Sequence, residues 1–78
     1  MNSISIRLST IQDIRTFVET VIRFDCEIDL QSGRYIVDAK SIMGIFSLDL
    51  MNPITLTVNA NEEEAAKVIE AVSKFKAE

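Results

Sequence analysis

Cys26-Glu27-Ile28-Asp29-Leu30-Gln31-Ser32-Gly33-Arg34-Tyr35-Ile36-Val37-Asp38-Ala39 is the stretch that decides the fold. Cys26, Ile28 and Leu30 alternate with Glu27 and Asp29, so the segment reads as a strand with one apolar face and one polar face. Gln31-Ser32-Gly33-Arg34 supplies a turn in which Gly33 is free to take positive φ. Residues 35–39 return as the second arm of a hairpin. A strand with one polar face suits an antiparallel sheet, wet on one side and covered on the other.

The same alternation recurs on both sides of the hairpin. Ile4, Ile6 and Leu8 alternate with Ser3, Ser5 and Arg7, and Ile54, Leu56 and Val58 alternate with Thr55 and Thr57. Helical spacing fills the gaps. Ile11, Ile14, Phe17, Val18, Val21 and Ile22 make one apolar stripe, which predicts a helix over 10–24. Ser9, with Gln12 three residues on, has the form of a capping box for it. Residues 41–50 form a short apolar helix with Ser41 as N-cap, broken by Asn52-Pro53. Asn61 and Glu64 open a last helix whose stripe is Ala65, Val68, Ile69, Val72 and Phe75, with Glu62 and Glu63 complementing its positive end. The order is β-α-β-β-α-β-α. It predicts an α+β fold in one domain over 1–78: an open-faced two-layer sandwich, a four-stranded antiparallel sheet covered by three helices.

Composition narrows the function classes. The chain has 78 residues and a net charge of -4, and Arg7, Arg15, Arg23 and Arg34 are scattered. A sequence-independent nucleic-acid binder needs a basic stripe, so nucleic acid is not the expected partner. An anionic membrane is disfavoured for the same reason, and no apolar run approaches the length of a span. The N-terminus does not read as a signal peptide. The single cysteine excludes an intrachain disulfide and fits a cytoplasmic location. With no histidine and no second cysteine there is no metal set and no cofactor site, and so small a chain has little room for an enclosed catalytic cleft. The expected class is a binding protein rather than an enzyme.

Lys40-Ser41-Ile42-Met43-Gly44-Ile45-Phe46-Ser47-Leu48 resembles the most recognisable stretch of HPr, the phosphocarrier family of the bacterial sugar phosphotransferase system. Arg23-Phe24-Asp25 resembles the family's basic-aromatic-Asp stretch, and the element order is also that of the family. The resemblance implies an HPr-like fold. It also implies a regulatory serine at Ser41 and a partner-docking patch at Ile42, Met43 and Phe46. Family members carry phosphate on a histidine within Gly-x-His-Ala-Arg-Pro. Aligned through Lys40-Ser41, Thr10 stands at the histidine position, Gln12 at the arginine position and Asp13 at the proline position. The connection before the first helix is also shorter than the family's.

Chemistry makes that difference decisive. A phosphocarrier needs a nucleophile that is neutral near pH 7 and gives the group up again, as imidazole does. A threonine hydroxyl lacks a base, and its phosphate ester is too stable to pass on. Without the arginine there is no phosphate clamp, and Asp13 repels an anion. Ser41 reads as an N-cap by local geometry alone, a role compatible with phosphorylation. Cys26 shares parity with Ile28 and Leu30 and is expected to point into the core. Glu27 and Asp29 read as a solvated face, where nothing separates two carboxylates by desolvation.

Three functions remain in play. The first is an HPr-like regulatory adaptor, not competent for histidine phosphotransfer, that binds a protein partner through Ser41–Phe46. That partner would be a phosphotransferase-system component, an HPr kinase or a transcriptional regulator. The family offers a precedent in a catabolite-repression paralogue that lacks the histidine and keeps the serine. The second is a true phosphocarrier by family membership. The third is a self-associating structural module unrelated to sugar transport. The oligomeric state is not fixed by the sequence.

Overall fold

A computed structural model of the chain describes residues 2–77. Four strands, β1 (Asn2–Ile6), β2 (Glu27–Ser32), β3 (Tyr35–Asp38) and β4 (Ile54–Asn59), form one antiparallel sheet in the order β1-β4-β2-β3. Three helices, α1 (Ile11–Val21), α2 (Ile42–Phe46) and α3 (Glu62–Ala71), complete the β-α-β-β-α-β-α order. A 3-10 turn over Ser73–Phe75 follows α3.

The hairpin closes through a two-residue turn. Ser32 pairs with Tyr35, and Gly33 takes φ 61° while no other described residue has positive φ. A positive φ at the first central residue alone suits a type II′ turn, whose twist matches that of the strands. The apolar faces of β1, β2 and β4 pack under the helices: Ile6, Ile28, Leu30, Ile54, Leu56 and Val58 are all buried. The helices answer with Ile14, Phe17, Val21, Ile45, Ala65, Val68 and Val72, and these belong to one core. Phe17 meets Phe75 edge to face at 5.8 Å, which fastens the 3-10 turn to α1.

Three helix boundaries differ from the sequence reading, and the first is that α1 ends at Val21 rather than at Phe24. The N-cap of α1 is Thr10, not Ser9, and the box is closed by Asp13, not Gln12. Thr10 Oγ1 accepts from Asp13 N–H at 3.0 Å, and the Asp13 carboxylate accepts from Thr10 N–H at 3.3 Å and Ser9 N–H at 3.2 Å. A charged carboxylate at the positive helix end outcompetes a neutral amide. The second helix ends at Phe46 rather than at residue 50. Ser47 and Leu48 amides bond three residues back, which tightens and stops the helix, and Ser47 Oγ donates to the Gly44 carbonyl. At α3, Asn61 accepts from Glu64 N–H at 2.8 Å as expected.

The first stripe is also narrower than its spacing suggests. Ile14, Phe17 and Val21 are buried, but Ile11 and Ile22 are exposed. Cys26 packs against the core but is only partly buried.

On the wet face, Asp29 sits directly across from Asp38. Asp38 accepts from the Lys40 amide and Asp29 from the Asn59 side chain, and among the described residues no cation is bonded to either. Like charges opposed across a ladder are destabilising. Asp29→Asn keeps the bond from Asn59 and removes the repulsion. It is expected to stabilise the fold by roughly 0.2–1 kcal/mol. Urea unfolding at low salt reads the gain, which shrinks as salt is added.

Candidate functional site

The exposed chemistry of the helical layer gathers at the starts of α1 and α2 and on the faces beside them. Thr10 is exposed and its hydroxyl is committed to capping α1. Gln12 is exposed and bonds along the helix to Thr16. An open cleft beside them is lined by Arg7, Ser9, Asp13, Lys74, Phe75 and Lys76. Three cations therefore border the first turn of α1, and the anion already held by its amides is the Asp13 carboxylate.

Ser41 caps α2, its Oγ accepting from Gly44 N–H at 3.1 Å. Gly44 permits this. A Cβ there would lie 3.2 Å from Val37 Cβ and 3.3 Å from Ser41 Oγ. Lys40, one residue earlier, donates from Nζ to the Phe24 carbonyl and ties the end of α1 to the start of α2. Ser41 itself is half-buried.

The patch named from sequence is brought together only in part. Met43 is 76% exposed and Phe46 46% exposed, whereas Ile42 is half-buried and packs on the core. Ile45 between them is fully buried. Sequence reasoning also missed that α1 leaves apolar side chains exposed, Ile11 and Ile22. Ile11, Arg15, Val18 and Ile22 fall on one line of that helix by spacing, and α1 packs on α2. The signal was Arg15, a charge on the same line as Ile11 and Ile22 that marks it as solvent-facing.

Cys26 lies beside Lys40 and Asp38, just before the start of β2. Its thiol pKa is raised, first by burial and then by the Glu64 carboxylate. Such a thiol is a poor nucleophile. Among the described residues no group of His, Cys, Asp and Glu could hold a metal ion, and no helix is long and apolar enough to cross a membrane.

A four-stranded antiparallel sheet in the order β1-β4-β2-β3, covered on one side by three helices with capped starts at Thr10 and Ser41, is the fold of the small phosphocarrier domains. The family model described as PTS HPr component, phosphorylation site, matches residues 13–78. The chain belongs to the HPr family. The match begins at Asp13, downstream of Thr10 and Gln12.

Solved structures agree. HPr-C-His from Thermoanaerobacter tengcongensis is 29% identical with a TM-score of 0.76, covering 95% of this chain and 93% of that one. The phosphocarrier protein HPr from Bacillus anthracis is 27% identical with a TM-score of 0.73, covering 96% and 93%. The Bacillus subtilis catabolite repression protein Crh, an intertwined dimer with a swapped domain, is 25% identical with a TM-score of 0.65, covering 94% and 88%.

Two measurements check the local geometry. Thr10→Ala removes the cap of α1 and is expected to cost about 1 kcal/mol in urea unfolding, while Ser9→Ala leaves stability unchanged. Glu64→Gln removes a charge that holds the Cys26 thiol protonated. Alkylation of Cys26 by iodoacetamide at about pH 8 should be faster in that variant than in the parent chain.

Proposed function

We propose that this chain is a regulatory adaptor of the HPr family. It docks a protein partner on the α1–α2 face and does not carry phosphate on histidine. The observation that supports this most is at residue 10. The chain contains no histidine, and the residue at the family's histidine position is a threonine whose hydroxyl caps a helix. The carboxylate beside that hydroxyl, Asp13, is engaged by the Ser9 and Thr10 amides, and no imidazole is there to take its place. A hydroxyl in that setting neither attacks a phosphohistidine donor nor releases phosphate to an acceptor.

Docking is supported by Met43 and Phe46, which lie in the open on α2, and by Ile11 and Ile22 on α1. Apolar side chains of this size in one region of a small protein mark a contact surface, and methionine adapts to its partner. Ser41 is the candidate gate. A phosphate on its Oγ would sit at the start of α2, next to Lys40 and beside the exposed Met43, where it changes the charge of the docking face. The partner is a phosphotransferase-system component, an HPr kinase or a transcriptional regulator, and the setting is the cytoplasm. The resemblance to Crh supports the regulatory reading, and family membership supports the carrier as the second reading.

Intact-mass spectrometry separates the two. After incubation with an HPr kinase and ATP, a single added phosphate is expected, absent in Ser41→Ala. After incubation with Enzyme I and phosphoenolpyruvate, no added phosphate is expected. An acid-labile phosphate in the second reaction would restore the carrier reading. No phosphate in the first would remove Ser41 as the gate.

A further inference from the structure

The sheet has two outer strands, and the chain closes only one of them. The C-terminal segment runs along β1: Arg7 N–H donates to the Phe75 carbonyl at 2.7 Å and Ala77 N–H to the Ser5 carbonyl at 2.9 Å. No such segment lies along the outside of β3 among the described residues.

The ladder's phase says which groups are left open. Ala39 N–H donates to the Ile28 carbonyl at 2.9 Å, and the register then makes Val37 with Leu30 and Tyr35 with Ser32 the hydrogen-bonded pairs. Ile36 and Asp38 turn their backbone groups outward. The Asp38 carbonyl accepts from Ser41 N–H. Ile36 N–H, Ile36 C=O and Asp38 N–H are left along the edge. Natural edges are guarded by short strands, charged side chains, prolines or bulges. This one is short and ends in Asp38, but it has no lysine or proline and shows Tyr35 at 72% and Ile36 at 62% exposure.

We propose that β3 pairs antiparallel with β3 of a second copy of this chain, about a two-fold axis at Ile36, to make one continuous sheet. Charge complementarity picks both the occupant and the register. With Ile36 opposite its own copy, Arg34 stands across from Asp38 of the second copy, and the reverse pair forms on the other side. Asp38 is already opposed by Asp29, and its cationic neighbour Lys40 is bonded to the Phe24 carbonyl, so the arriving guanidinium meets a carboxylate bonded to no cation among the described residues. A slip of two residues one way sets Arg34 against Lys40, and the other way leaves Asp38 opposite Ser32. Ile36 and Tyr35 lose water exposure in the pairing, and the pairing is independent of the α1–α2 face.

Sedimentation velocity of the full chain over a concentration series tests this. A reversible dimer is expected, and Ile36→Lys and Arg34→Asp should each weaken it by at least about tenfold. Both residues are exposed, and circular dichroism checks that the variants remain folded. Mixing Arg34→Asp with Asp38→Arg should restore a dimer that neither forms alone, because every facing pair is then of opposite sign. Amide exchange should slow at Ile36 and Asp38 as concentration rises. A chain that stays monomeric at millimolar concentration overturns the proposal. So does a dimer that survives Ile36→Lys, as one held by element exchange would, or a mixture that stays monomeric.

Discussion

Everything in this fold waits on β4. It is the third element from the end of the chain and yet lies inside the sheet, with β1 on one side and β2 on the other. Asn2 pairs with Val58 and Glu27 with Asn59, so both ladders join residues far apart in sequence. Until β4 is in place, β1 and the hairpin share no hydrogen bonds, and the apolar sides of both are uncovered. Loop closure on that scale costs entropy before any contact offsets it. Ile54, Leu56 and Val58 recover it within the core, Leu56 and Val58 each pairing with β1 on one side and β2 on the other. The helices are then held by what this face presents.

Most of this architecture is legible in alternation alone. Ile28 and Leu30 against Glu27 and Asp29, or Leu56 against Thr55 and Thr57, assign a strand and both of its faces at once, because a period of two leaves no other arrangement. Helix ends are less legible, because they are settled by competition between neighbours. By residue type Ser9 is a slightly better cap than Thr10, and the reach of the Asp13 carboxylate decides for Thr10. The end of α2 was hidden in a similar way. Leu48 and Leu50 continue the apolar pattern, but Gly44 and Ser47 spend their hydrogen bonds on closing the turn.

The site was legible through what it lacks more than through what it holds. The missing histidine is plain in the sequence, whereas the use of the Thr10 hydroxyl as a cap is a matter of geometry. Periodicity groups Ile11 and Ile22 with the core, since a six-residue stripe wraps too far around a helix for one sheet to cover. Their exposure enlarges the face that α2 begins. The outer edge of β3 carries no sequence signature, because strand order is a property of the whole sheet.

Gly44 has a further consequence, one for how such a surface can evolve. Its bare Cα lets α2 lie close to Val37 and receive its cap from Ser41, while Ile45 anchors the same turn in the core. Positions 44 and 45 are therefore locked by packing, and positions 43 and 46 point into solvent on either side of them. Substitution at these two positions changes the size and polarity of the exposed surface and leaves the scaffold untouched. A lineage can in this way alter what that surface offers by changing two side chains, without passing through an unfolded intermediate sequence.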